Sequence, residues 1–92
     1  MFNVYLLHFN KPYWTNCRHY IGYTSKPVKQ RVNAHKAGKG SLLVRYALAK
    51  GCTFVVAKTW QFDTKWEARH FERRQKRNGH LPKICPKCKK NK

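Results

Sequence analysis

Acid is the scarcest thing in this chain. Only 3 Asp and Glu stand against 21 Lys and Arg in 92 residues, a formal net charge of +18. A surface so one-sided repels itself and is relieved by a polyanion, and each phosphate it meets releases a counterion, so nucleic acid is the leading partner. Long apolar runs are also missing, and no segment reads as a bilayer-spanning helix. The charge is spread along the chain and not gathered on one amphipathic helix, so no membrane partner is expected. No basic-then-apolar leader opens the sequence, which points to a cytoplasmic protein whose four cysteines stay reduced. Repeats and linkers are absent too, leaving one small domain. Aromatic residues, by contrast, make up 14% of the chain, too many for a disordered basic tail and enough for a core.

The strand formers of Phe2-Asn3-Val4-Tyr5-Leu6-Leu7-His8-Phe9 predict a mostly buried strand over 2–9. A loop with Pro12 and Asn16 follows, in which Trp14 is expected to cover the core edge. A second, antiparallel strand is predicted over 17–24. Thr24-Ser25-Lys26-Pro27 reads as a helix start, with a hydroxyl cap and a proline in the first turn. That helix should stop at Gly38, with Arg31 and His35 on one face at i and i+4. Ser41 can cap a further helix over about 42–50, whose inner side is expected to be Leu42, Leu43, Tyr46 and Ala47, with Gly51 after its end. The apolar run over 53–60 predicts a third strand covered on both faces. Thr64-x-x-Glu67 is a capping box opening a last helix to about residue 77, ended by Asn78-Gly79.

The three acids separate cleanly. Asp63 sits beside a helix start and Glu67 closes the capping box, both ordinary structural positions. Glu72 lies mid-helix among cations, where the bland alternative is a solvated pair with Lys76. A nucleic-acid binder gains nothing from that acid, whereas a nuclease needs one to hold a divalent metal beside a scissile phosphate. Tyr5, Tyr20, Arg31 and His35, each unremarked alone, complete a candidate set when taken with Glu72.

Together these residues resemble the GIY-YIG nuclease family. Asn3-Val4-Tyr5 stands where Gly-Ile-Tyr would be, Tyr20-Ile21-Gly22 is the second motif, and Arg31 and His35 match the first helix. Ala68-Arg69-His70-Phe71-Glu72-Arg73-Arg74-Gln75-Lys76 looks like the helix bearing the metal-binding glutamate. The resemblance spans about 3–78, with one extra residue between Tyr20 and Arg31, expected near Pro27. More narrowly, His19-Tyr20-Ile21-Gly22, Gly38-Lys39-Gly40-Ser41, Thr59-Trp60 and Cys85-Pro86-Lys87-Cys88 resemble small stand-alone members of bacteria and their phages.

The resemblance implies an α+β fold: a three-stranded antiparallel sheet flanked by three helices, in the order β-β-α-α-β-α. A nuclease-like domain is expected over 1–80, with a basic tail over 81–92. It also implies an endonuclease that hydrolyses DNA phosphodiesters with one Mg²⁺ or Mn²⁺ held by Glu72. Tyr20 would take the proton of the attacking water. A phenol is a poor base at neutral pH, so Arg31, His35 and other cations are expected to favour its phenolate. Tyr5 would position water or phosphate, and Arg31 a non-bridging oxygen. Lys39, Arg45, Lys76 and Asn78 are candidate nucleic-acid contacts. The alternative is a non-catalytic nucleic-acid-binding module on the same scaffold. A dimer would let a one-site nuclease cut both strands, but the sequence leaves oligomeric state open.

Cys85-x-x-Cys88 has the spacing of half a structural Zn²⁺ site. The other half would have to come from Cys17, Cys52, His80 or another histidine, and none of these shows matching pair spacing. A reduced, metal-free pair in a basic tail is the competing reading.

Overall fold

The run of strand formers at the start of the chain becomes the centre of the sheet. In the structure, a computed structural model that describes residues 2–13, 18–78 and 81–86, strand β1 spans Phe2–Phe9. It pairs antiparallel with β2 (His19–Thr24) on one side and β3 (Phe54–Phe62) on the other, giving the order β2-β1-β3. Helices α1 (Val28–Lys36) and α2 (Leu42–Ala49) lie between β2 and β3 in sequence. Helix α3 (Lys65–Asn78) follows β3, and a four-residue helix α4 (Leu81–Ile84) lies in the tail.

Side chains alternate along a strand, so β1 feeds two cores. Tyr5, Leu7 and Phe9 pack on one face with Tyr13, Val32, Val44, Ala47 and Cys52. Val4 and Leu6 pack on the other with Ile21, Ala68 and Cys85, ringed by Trp60, Phe62, Phe71, Leu81 and Ile84. The five β1 residues Val4, Tyr5, Leu6, Leu7 and Phe9 are fully buried. Complete burial of a large apolar side chain stabilises the fold by about 1.5–3 kcal/mol.

Three expectations need correction. The strand covered on both faces is β1, not β3: β3 is an edge strand with Val55 half exposed, and its pairing slips between Lys58 and Val56. Its apolar run changes face at that bulge: Phe54 and Val56 pack on the Tyr5 core, whereas Ala57, Trp60 and Phe62 pack on the Val4 core. Helix α2 turns Val44 and Ala47 inward, while Leu42, Leu43 and Tyr46 face outward, Leu42 being 79% exposed. Leu-Leu-Val-Arg-Tyr-Ala-Leu-Ala is apolar on nearly every side, so periodicity alone cannot set its rotation. Finally, Pro27 is itself the N-cap of α1, with no side-chain cap bond. The Thr24 hydroxyl instead accepts from the Lys26 N–H at 3.0 Å, closing the turn that precedes the helix.

Other local readings stand. The Ser41 hydroxyl accepts from the Leu43 N–H at 3.1 Å, and Gly38 and Gly51 take positive φ after α1 and α2. The capping box closes reciprocally: the Glu67 N–H donates to Thr64 Oγ1 at 3.1 Å and the Thr64 hydroxyl donates to Glu67 Oε1 at 2.9 Å. Trp14, Cys17, Gly79, His80 and Cys88, and the side chain of Asn78, lie outside the described residues.

Candidate active site

The site begins with the register of two strands. Tyr5 on β1 lies opposite Gly22 on β2, and Leu7 lies opposite Tyr20. A Cβ at Gly22 would sit 2.5 Å from the Tyr5 hydroxyl oxygen and 2.9 Å from the Tyr20 ring. Glycine is required there because the Tyr5 phenol lies flat over the strand. The Tyr5 and Tyr20 ring centroids are 6.3 Å apart, and the His35 ring lies 5.7 Å from each. The rings of two sheet tyrosines and one α1 histidine thus meet on the face covered by α1 and α2.

His35 is fully buried, and its hydrogen bonds fix its tautomer. The Ser41 backbone N–H donates to Nδ1 at 3.3 Å, so Nδ1 is an acceptor. Burial, with Arg31 nearby, holds the ring's pKa down at about 4, so it is neutral at pH 7. Its one proton is therefore on Nε2, which donates to the Tyr5 hydroxyl oxygen at 2.6 Å. A Cβ on Gly40 would fall inside this imidazole, so the loop between α1 and α2 is pressed against the ring. The expectation of His35 as a cation that favours a Tyr20 phenolate is thus incorrect: the pocket that holds the ring also keeps it uncharged.

Tyr5 is pushed up to about 12, chiefly by burial. The Arg31 guanidinium opposes this rise by hydrogen bonding and charge, while Tyr20 and Glu72 reinforce it. Tyr5 therefore remains a neutral phenol whose oxygen faces the donors of His35 and Arg31. Arg31 itself is part-exposed, and its buried Nε has no hydrogen-bond partner among the described residues.

Glu72 comes from α3, which packs on the other face, yet its charge acts on Tyr5. The residue is buried and holds Lys76 at 3.5 Å and Arg69 at 3.9 Å. Lys76 Nζ also lies 5.6 Å from the Tyr20 ring centroid, so one ammonium spans the acid and the second tyrosine. The structure therefore brings Tyr5, Tyr20, Arg31, His35, Glu72 and Lys76 into one neighbourhood. Lys39 and Arg45 are exposed, and Asn78 ends α3.

This arrangement has a counterpart among known families. The chain matches the GIY-YIG catalytic domain over residues 1–81. It belongs to the GIY-YIG family. This GIY-YIG domain is a nuclease-type domain and implies a nucleic-acid substrate. Asn3 is the residue expected in place of the first motif glycine. It is buried and donates from Nδ2 to the Lys26 carbonyl at 3.4 Å, tying β1 to the turn before α1. No curated protein and no solved structure matches the chain.

Sequence reasoning missed two features. Gly40 and Ser41 shape the His35 pocket, which no spacing signals. On the outer side of α3, His70, Arg73, Arg74 and Arg77 line a surface cavity of about 340 Å³. There the exposed Trp66 stacks on His70 with centroids 5.1 Å apart and planes 10° from parallel. The i, i+3, i+4, i+7 spacing of those side chains is the signal that could have found this stripe.

Proposed function

We propose that this GIY-YIG domain is a divalent-metal-dependent DNA endonuclease. The observation that carries the reading is the convergence of Tyr20, Arg31 and the Glu72–Lys76 pair around the Tyr5–His35 bond. The phenolate oxygen of Tyr20, part-exposed, takes a proton from the attacking water, with Lys76 beside its ring. Arg31, part-exposed, donates to a non-bridging phosphate oxygen. Tyr5 is fully buried and so acts as a positioning residue, its oxygen turned to Arg31 and His35. His35 holds Tyr5 and is held in turn by Ser41.

The donor set fits one hard cation of the Mg²⁺ or Mn²⁺ kind. Glu72 is a buried oxygen ligand whose two cationic partners stand off at 3.5 and 3.9 Å, leaving lone pairs available. Mg²⁺ asks for little more, since it keeps several waters and uses one or two carboxylates together with substrate phosphate. Bound there, it supplies charge neutralisation at the departing oxygen. Lys39, Arg45 and the Trp66–His70–Arg73–Arg74–Arg77 stripe are outlying backbone contacts, with Trp66 and His70 offering a base a stacking surface.

The test is supercoiled plasmid incubated with wild type or Glu72→Ala protein in Mg²⁺ or Mn²⁺. Wild type should nick it, and the variant should not, while both bind DNA with similar salt sensitivity. Nicking by the variant at the wild-type rate overturns the mechanism. Binding without nicking by wild type in either metal leaves the non-catalytic module as the correct reading.

A further inference from the structure

The tail cysteine meets a pair of histidines from the β1–β2 hairpin. His8 on β1 and His19 on β2 are directly opposite in the hairpin, on the face away from Tyr5 and Tyr20. His8 Nδ1 and His19 Nε2 are 3.2 Å apart. Cys85, fully buried just after α4, puts its Sγ 3.4 Å from His8 Nδ1. One ligand atom from each of the three lies within 4.8 Å of those of the others.

These separations have the scale of a metal polyhedron. Tetrahedral Zn²⁺, with N and S ligands at about 2.0–2.3 Å, spaces neighbouring ligand atoms by roughly 3.3–3.6 Å. Two imidazole nitrogens and a thiolate are a donor set suited to zinc, and burial among Val4, Leu6 and Ile21 would keep the site closed. We propose that His8, His19 and Cys85 bind a structural Zn²⁺. Cys52, the other cysteine described, is excluded because it belongs to the opposite core. The ion would staple the tail to the hairpin, joining residues 77 positions apart. A small domain with a limited core gains much from such a link. The proposal is independent of the nuclease reading, since none of these residues belongs to the candidate active site.

The experiment uses the full chain, purified without a metal-affinity tag or chelator. Elemental analysis should give near one zinc per chain for wild type, for Glu72→Ala and for Cys52→Ser. Cys85→Ser and His19→Gln should fall below about a tenth of that. Co²⁺ added to metal-stripped wild type should give the visible bands of tetrahedral cobalt and a thiolate charge-transfer band in the near ultraviolet, even if Cys85→Ser does not fold. Wild type with no zinc and no such bands overturns the proposal. So does cobalt without the thiolate band, or zinc lost with Glu72→Ala while Cys85→Ser keeps it.

Discussion

The two faces of strand β1 each hold a buried histidine, and the pair is instructive. On one face His35 meets a phenol, with backbone Ser41 N–H fixing its tautomer. On the other, His8 and His19 meet a thiol. An imidazole wedged between fixed donors and acceptors can only hold and orient, which suits a reaction site whose neighbours must stay in place. Two imidazoles facing a thiol bring three ligand atoms within 4.8 Å of one another, which suits a cation. The same residue type thus serves positioning or ligation according to its neighbours.

The sharpest way to separate the faces is Tyr20→Phe. Cleavage should fall about 10²–10⁴-fold, the range of a lost proton acceptor, with zinc content and thermal stability unchanged. Plasmid nicking alongside elemental analysis reads both. If zinc falls with activity, the faces are not independent. Next in size is Gly40→Ala, which places a methyl inside the His35 ring. Overpacking of this kind costs about 1–3 kcal/mol, measured by urea unfolding, and should lower cleavage because the ring must move. Tyr5→Phe leaves the His35 Nε2–H without its acceptor, at a cost of about 1–3 kcal/mol, again by urea unfolding.

Acid titration sharpens the comparison further. His35 faces Tyr5, Tyr20, Arg31 and the Ser41 N–H, and folded it resists protonation down to about 4. The unfolded chain takes up that proton near pH 6.5, so it binds more protons than the fold between those values. Stability from this group is therefore full above about pH 6.5 and lost as pH falls towards 4. In His35→Gln the slope of stability against pH in that window should be smaller. The mildest expected effect is Thr64→Ala, which removes the α3 cap at about 1 kcal/mol and disturbs neither face.

Much of this was legible beforehand where local chemistry decides the outcome. The Thr64–Glu67 box and the Ser41 cap are short-range devices, and residue type at fixed spacing is enough to place them. The burial of β1 follows from Val4-Tyr5-Leu6-Leu7 alone. Members of the candidate site came from motif order, while the neutral state of His35 did not, because it depends on Gly40 and Ser41 closing over the ring. The rotation of α2 was hidden by its nearly uniform apolarity. The His8–His19–Cys85 group was hidden for a different reason: strand register brings together residues whose separation matches no metal-binding spacing.

Alternation along β1 also limits how this gene can change length. Tyr5 and His8 are three positions apart and so point to opposite faces. One amino acid inserted between them would send both the same way, costing the chain either its phenol or its imidazole. Insertions that preserve both would have to come in twos, or fall outside the segment, and a scanning-insertion library should show that parity in its survivors.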